Sequence, residues 1–256
     1  MSNAEAGSGG RGPGYGLCLE PHYAWVQRFF SIVPGARGYL AKEKIREADI
    51  LIRRYVASRL DEAAGEVEAA RQVLASRASQ SFFASTPMIG QPALGAADLS
   101  SLQASQALGD TLRRLHVLLQ GLSSDVLYAD AGWAPVGAAQ AIREPELRQL
   151  CSYDDAMIGL AEAILALARR LRGAVEAGDY AEAANEAREL EEAARRLREL
   201  YEERRRFLHF VTHEGLGLRE ALGKLRRGAG GALEAARSLL ERLARRLGGL
   251  LGRGEA

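Results

Sequence analysis

From Ile45 to Leu74, apolar residues recur every three or four positions: Ile45, Ala48, Ile52, Tyr55, Val56, Leu60, Ala63, Val67, Ala70 and Leu74. That period puts them on one side of an α-helix, predicted over about 36–79. Gly65 interrupts the run and is expected to mark a kink or a close helix contact. Before it, Tyr23, Trp25, Phe29 and Phe30 precede Pro34 and Gly35, which predicts a short helix ending there. Residues 80–100 lose the period and carry two prolines and two glycines, the mark of a loop. Leu108, Leu112, Leu115 and Leu119 then predict a helix over about 99–122, with Asp98 or Ser100 as its cap. Gly132, Pro135, Gly137 and Pro145 limit residues 121–146 to short helical pieces.

The second half is more regular. Met157, Leu160, Ala161, Ile164, Leu167, Leu171 and Val175 form one stripe, predicting a helix over 152–177. Ser152 is its expected N-cap, with Asp154 and Asp155 facing the positive end of the dipole. Gly178 suits the left-handed residue after a helix end. Asp179 then caps the next helix, with Glu182 three residues on. That helix runs to about His213 on Tyr180, Ala183, Ala187, Leu190, Ala194, Leu197, Tyr201, Leu208 and Val211. Its other face is almost all charge, with Glu and Arg three or four apart. A shorter helix over about 215–227 follows, then a linker of Gly228, Gly230 and Gly231. A last helix covers about 232–251 on Leu233, Ala236, Leu240, Leu243, Leu247 and Leu250. No strand pattern occurs. The expected fold is an all-α bundle of six to seven helices. It divides into a flexible Gly-rich tail (1–18), a helical domain (19–227) and a basic amphipathic C-terminal helix (228–256).

Composition changes this picture little. The chain has 256 residues, 47% apolar and only 6% aromatic, rich in helix-forming Ala, Leu, Arg and Glu. Net charge is +1, so any electropositive surface must come from uneven distribution. From Arg219 onward nine Lys/Arg stand against four Asp/Glu, so the rest is slightly acidic. A helix contact is the expected use of that basic end. Cys18 and Cys151 are far apart and make no metal or redox spacing, for which a reducing cytoplasm is the simplest setting. No apolar run approaches a membrane span, and the N-terminus lacks the apolar core of a signal peptide. Abundant arginines with balancing acids suit a thermophile's ion-pair networks.

Nucleotide-binding glycine loops and Cys–His metal spacings are missing. His209 and His213, four apart beside Glu214, make half a metal site, or an ordinary polar helix end. Arginine pairs on helices can hold phosphates. Arg53 and Arg54 form one pair, with Lys42 and Arg46 a few turns earlier. Arg113 and Arg114 form another, with only Asp110 within a turn. Arg204, Arg205 and Arg206 form the densest run, but Glu202 and Glu203 abut it, which favours a salt-bridged face. Asp155 and Glu162 lie seven apart on one helix face, and Asp110 lies on a helix able to pack beside it. Such carboxylates can converge on Mg²⁺ for phosphodiester hydrolysis; alternatively they are a helix-start charge and a surface ion pair.

The segment 153-YDDAMIGLAEAILALARRLRGAVEAGDY-180 resembles the translin/trax family. Tyr153, Gly159, Leu160, Leu167, Arg169, Gly178, Asp179 and Tyr180 fall at matching places. The stretches 44-KIREADILIRRYVASRLDEA-63, 110-DTLRRLHVLLQG-121 and 216-LGLREAL-222 resemble its other helices, so the likeness covers about residues 40–227. The resemblance implies a seven-helix subunit in a barrel-like homo-oligomer. It also implies binding of single-stranded RNA or DNA on basic surfaces, here Arg53, Arg54, Arg113 and Arg114, with no cofactor. Trax-type members cut RNA with Mg²⁺ held by acids that would fall at Ala107, Asp110 and Glu162. One acid is absent, and Ala166 stands where another carboxylate is usual. The resemblance therefore implies a binding subunit, alone or completed by a trax-like partner, in preference to an Mg²⁺-dependent endoribonuclease using Asp110, Asp155 and Glu162. A helical scaffold or adaptor is the remaining alternative.

Overall fold

The computed structural model describes residues 45–84, 96–133, 142–213, 217–229 and 231–251. Among them are six helices and no strand: α1 (Ile45–Ala84), α2 (Ala96–Tyr128), α3 (Glu144–Ala177), α4 (Tyr180–His213), α5 (Leu218–Ala229) and α6 (Ala232–Leu251). The protein is all-α, as the periodicity predicts. The expected helix at 19–35 and the Gly-rich tail lie outside the described residues.

α1 to α4 form a four-helix bundle in which α1 packs on α2 and α3, and α4 closes the ring against α3 and α2. The contacts give the directions. Ala57 faces Ser123, Ala64 faces His116 and Leu74 faces Gly109, so α1 and α2 run antiparallel. Tyr55 meets Glu162 and Arg77 meets Val175, so α1 and α3 run parallel. The core is the set of stripes read above. Ile52, Val56, Leu60, Val67, Leu112, Leu119, Leu160, Ile164, Leu171, Leu190 and Leu197 are all buried. Alanines at 48, 63, 70, 161, 183 and 194 are buried too, which lets backbones approach closely. α5 packs on α4, and α6 lies against α3 and α4.

Helix ends differ from expectation in several places, among them the end of α1, which runs on to Ala84, and that of α5, which passes Gly228 to reach Ala229. α3 begins eight residues early, with Arg143 as an extended N-cap and Pro145 in the first turn. Proline is favoured there because its ring presets a helical φ and its missing N–H would be unpaired anyway. Ser152 is thus not a cap; its hydroxyl donates to the Arg148 carbonyl in mid-helix. α2 starts at Ala96, so Asp98 and Ser100 lie inside it, and it continues to Tyr128. Its extension buries Leu122 and Val126, and Arg53 Nη1 donates to the terminal carbonyls of Val126 (3.3 Å) and Leu127 (3.2 Å). A cation on the last carbonyls stabilises a helix end that no glycine closes. α1 runs through Gly65 without a break, and nothing approaches that residue, so it is not a close helix contact.

The hinge between α3 and α4 matches its sequence. Gly178 has φ 81°, its N–H and that of Asp179 return to Val175 and Ala174, and Asp179 Oδ1 accepts from Glu182 N at 2.9 Å. Arg77 of α1 also donates to the Val175 (2.9 Å) and Glu176 carbonyls. The Glu182 carboxylate does not close a reciprocal cap; it turns to Arg170 and Arg246.

Candidate nucleic-acid interface

The triple-arginine run splits by helical phase. Arg204 is 0% exposed and reaches the core, where it pairs with Asp49 of α1 and with Asp154 of α3 (2.6 Å). Asp49 also takes Arg53 Nε at 3.1 Å. One residue before each of Asp154 and Arg204, the Tyr153 hydroxyl donates to Glu203 at 3.0 Å, and burial with that carboxylate raises the phenol pKa. Arg205 pairs with Glu202, and Arg206 donates to the Glu202 carbonyl. This run is therefore structural, as its flanking glutamates suggest. Asp49 and Asp154 as partners of Arg204 are not legible in the sequence, because they come from helices far apart in the chain.

The remaining arginine pairs divide between α1 and α2. Arg53 is occupied by Asp49 and by the end of α2. Arg54 is exposed and makes no ion pair among the described residues. Arg113 and Arg114 are exposed on α2; Arg114 touches only the Thr111 hydroxyl (3.1 Å), and neither meets a carboxylate among the described residues. Arg53 lies beside Leu127, so the two pairs stand about 20 Å apart along α2 at 1.5 Å per residue. They flank one surface and do not form one cluster.

Between α1 and α2 runs a groove. Its wider part, about 680 Å³, is lined by Ile50, Arg53, Arg54, Ser58, Leu127 and Tyr128 at one end and by Asp61 and Glu62 at the other. Asp61 continues it into a second depression with Glu68, Gln72, His116 and Gln120. The first end is basic and partly apolar, and the middle is acidic. Glu62 and Glu68 are already held by Arg59 and Arg71, and the Arg71 hydrogen bond draws the Glu68 carboxyl down to about 2. The sequence reading missed Tyr128, because the nearby glycines and prolines put it in a broken segment.

The three candidate carboxylates stay apart. Glu162 accepts from the Tyr55 hydroxyl and pairs with Arg59 at 3.2 Å, while the Arg59 guanidinium lies 4.9 Å from the Tyr55 ring centre. Asp155 sits beneath α6, near Arg237. Asp110 is exposed beside Gly109, which packs on Leu74; Leu74 and Tyr55 are about 28 Å apart along α1. One Mg²⁺ needs oxygens about 2 Å away, so Asp110 and Glu162 cannot share an ion in this arrangement. Among the described residues no group of three His, Cys, Asp or Glu side chains is placed to hold a metal. His209 and His213 stack face to face at 4.4 Å, and Glu214 lies outside the described residues. Ala107 and Ala166 offer no ligand.

The basic C-terminal helix has an acidic seat. Arg246 pairs with Glu182 (3.2 Å), Glu186 (2.9 Å) and Glu189, and Arg242 with Glu192 (3.0 Å). Arg170 meets Glu186 from the other side at 2.7 Å. Burial, and then the hydrogen bond to Glu182, pushes the Glu186 carboxyl up to about 7, while Glu182 is lowered. Burial raises Asp155 to about 8 against the pull of Arg237. No helix among the described residues is long and apolar enough to cross a membrane. Cys151 on α3 is disulfide-bonded; the chain's other cysteine, Cys18, lies outside the described residues. No family model, curated protein or solved structure matches the chain.

Proposed function

We propose that the protein is a translin-like subunit that binds single-stranded RNA or DNA over the α1–α2 face and works as a homo-oligomer, alone or with a trax-like partner. One observation carries this. Many arginines here are neutralised by glutamate or aspartate; on the α1–α2 face Arg54, Arg113 and Arg114 face solvent without a carboxylate among the described residues, as Arg188, Arg219, Arg227 and Arg245 do elsewhere. Exposed, uncompensated guanidiniums on rigid helices are where phosphates bind and release counterions. No cofactor is needed for that chemistry. The compartment is taken to be the cytoplasm of a thermophile. The Cys151 disulfide is compatible with it, since intracellular disulfides are common in hyperthermophiles, and dense ion-pair networks suit high temperature.

The experiment is an anisotropy titration with a labelled single-stranded oligonucleotide at several salt concentrations. Wild type should bind at low salt and weaken as salt rises. Replacing Arg54, Arg113 and Arg114 with Ala should lower the slope of log K against log salt by about 2, at about 0.7 per phosphate contact. Absence of binding by the wild type at 50 mM salt would end the proposal.

A further inference from the structure

Tyr128 is 81% exposed and Ile50 is 41% exposed. Among the described residues only one other large apolar side chain, Val117, is comparably exposed, and these two line the same end of the same groove. Leaving an aromatic ring in water forgoes the stabilisation its burial would supply, so its place beside unpaired Arg54 asks for an occupant.

Tyr128 is also held firmly. It is the last residue of α2, whose final turn is closed by Ala129 N to Asp125 O (3.1 Å) and by Arg53 on the Val126 and Leu127 carbonyls. Beyond it, Asp130 accepts from Gly132 N at 3.0 Å, and the Thr212 hydroxyl donates to the Gly132 carbonyl. Gly132 has φ 83°, and an added Cβ would strike the Arg205 carbonyl, so only glycine fits this turn. The ring's backbone is thus anchored to α1 and α4.

Resting on the nucleic-acid reading above, we propose that Tyr128 is a base-stacking platform: the Ile50–Tyr128 end of the groove takes one unpaired nucleobase, with its phosphate on Arg54. A flat π-face suits any base, and stacking on aromatic residues is the common device of single-strand binders. The phosphate is confined to the basic end, because Asp61 and Glu62 repel it from the other. A paired base cannot present its face, so the platform selects single strands over duplex. A second copy of the chain fits this place less well. A stable protein contact buries about 800 Å² per partner around an apolar centre, whereas here, of the apolar lining residues Ile50, Ala57, Leu127 and Tyr128, just Ile50 and Tyr128 are exposed, among Arg53, Arg54, Asp61 and Glu62.

The test compares wild type, Tyr128→Ala and Tyr128→Phe on a labelled single strand and on a duplex of equal length, with solution mass measured in parallel. Tyr128→Ala should weaken single-strand binding by about 10-fold with an unchanged salt slope, whereas Tyr128→Phe should stay within about twofold, since stacking needs the ring and not the hydroxyl. Duplex binding should not change in either variant. Equal single-strand affinity for Tyr128→Ala and wild type overturns the platform while leaving the arginine surface standing. A drop in solution mass for Tyr128→Ala shows a second copy to be the occupant and overturns it too. If wild type binds no single strand at any salt, the nucleic-acid reading fails and the platform with it.

Discussion

Arg204 carries a guanidinium with no solvent exposure across the bundle axis to two carboxylates on different helices. Such a group is expensive to bury and stays charged only because Asp49 and Asp154 meet it. Removing it takes the guanidinium away from two buried acids, while Arg53 stays on Asp49. Arg204→Ala should therefore cost about 3–5 kcal/mol, read from urea midpoints. Adding Asp154→Asn should recover part of that loss; a purely additive double variant would refute the coupling. The residue scale also shows what sequence can and cannot carry. Gly178 and Asp179 were legible because a helix stop and a helix start are local chemistry. Glu202 pairs with Arg205, as its place beside the run suggests, whereas Glu203 turns inward to Tyr153. Arg204's true partners were invisible, because Asp49 and Asp154 reach it only through packing.

At the scale of elements, α6 sits on two carboxyls, Asp155 and Glu186, whose pKa is raised by burial. Asp155 faces Arg237 and Asp154, and Glu186 faces Arg170, Arg246 and Glu182. Their folded values, about 8 and about 7, lie above the unfolded 3.8 and 4.5, with burial the main cause of each. A raised acid binds more protons folded than unfolded, so its stabilisation is complete below the unfolded value and is lost as pH climbs through the folded one. Stability should thus fall between about pH 5 and 8, and α6, which covers both groups, should be the part that loosens. Glu68 is lowered to about 2 and acts only below this window. The check is the urea midpoint at pH 5 and pH 8 for wild type and for Asp155→Asn/Glu186→Gln. The double variant should show a flatter dependence; an unchanged difference between the two pH values would remove these carboxyls from the account. The α6 stripe itself was readable from Ala236 and Leu243, and its basic charge foretold a helix contact. The acidic seat was not readable, since Glu182, Glu186 and Glu189 look like any solvated helix face. The start of α3 is hidden for a similar reason: Ser152 has the chemistry of a cap, but burial of Leu147 and Leu150 carries the helix back to Glu144 and Pro145.

The whole molecule has a net charge of only +1, so long-range attraction cannot bring it to a polyanion. Any affinity must come from the few arginines that the ion-pair networks leave over. That makes assembly matter. On its α1–α2 face one subunit offers Arg54 and the Arg113–Arg114 pair about 20 Å apart, too few contacts for tight binding at physiological salt. Several subunits on one strand multiply them, because each later contact is intramolecular. Sedimentation equilibrium should accordingly give a mass several times 27.6 kDa. The Arg54/Arg113/Arg114 alanine variant should keep that mass while losing binding. Affinity should also rise with oligonucleotide length until the strand spans neighbouring subunits, then level off. A monomer with length-independent binding would leave the exposed arginines as a weak, isolated phosphate site and would take away the translin-like assembly. If the mass fell together with binding in the alanine variant, those arginines would belong to the subunit contact instead of the nucleic-acid surface.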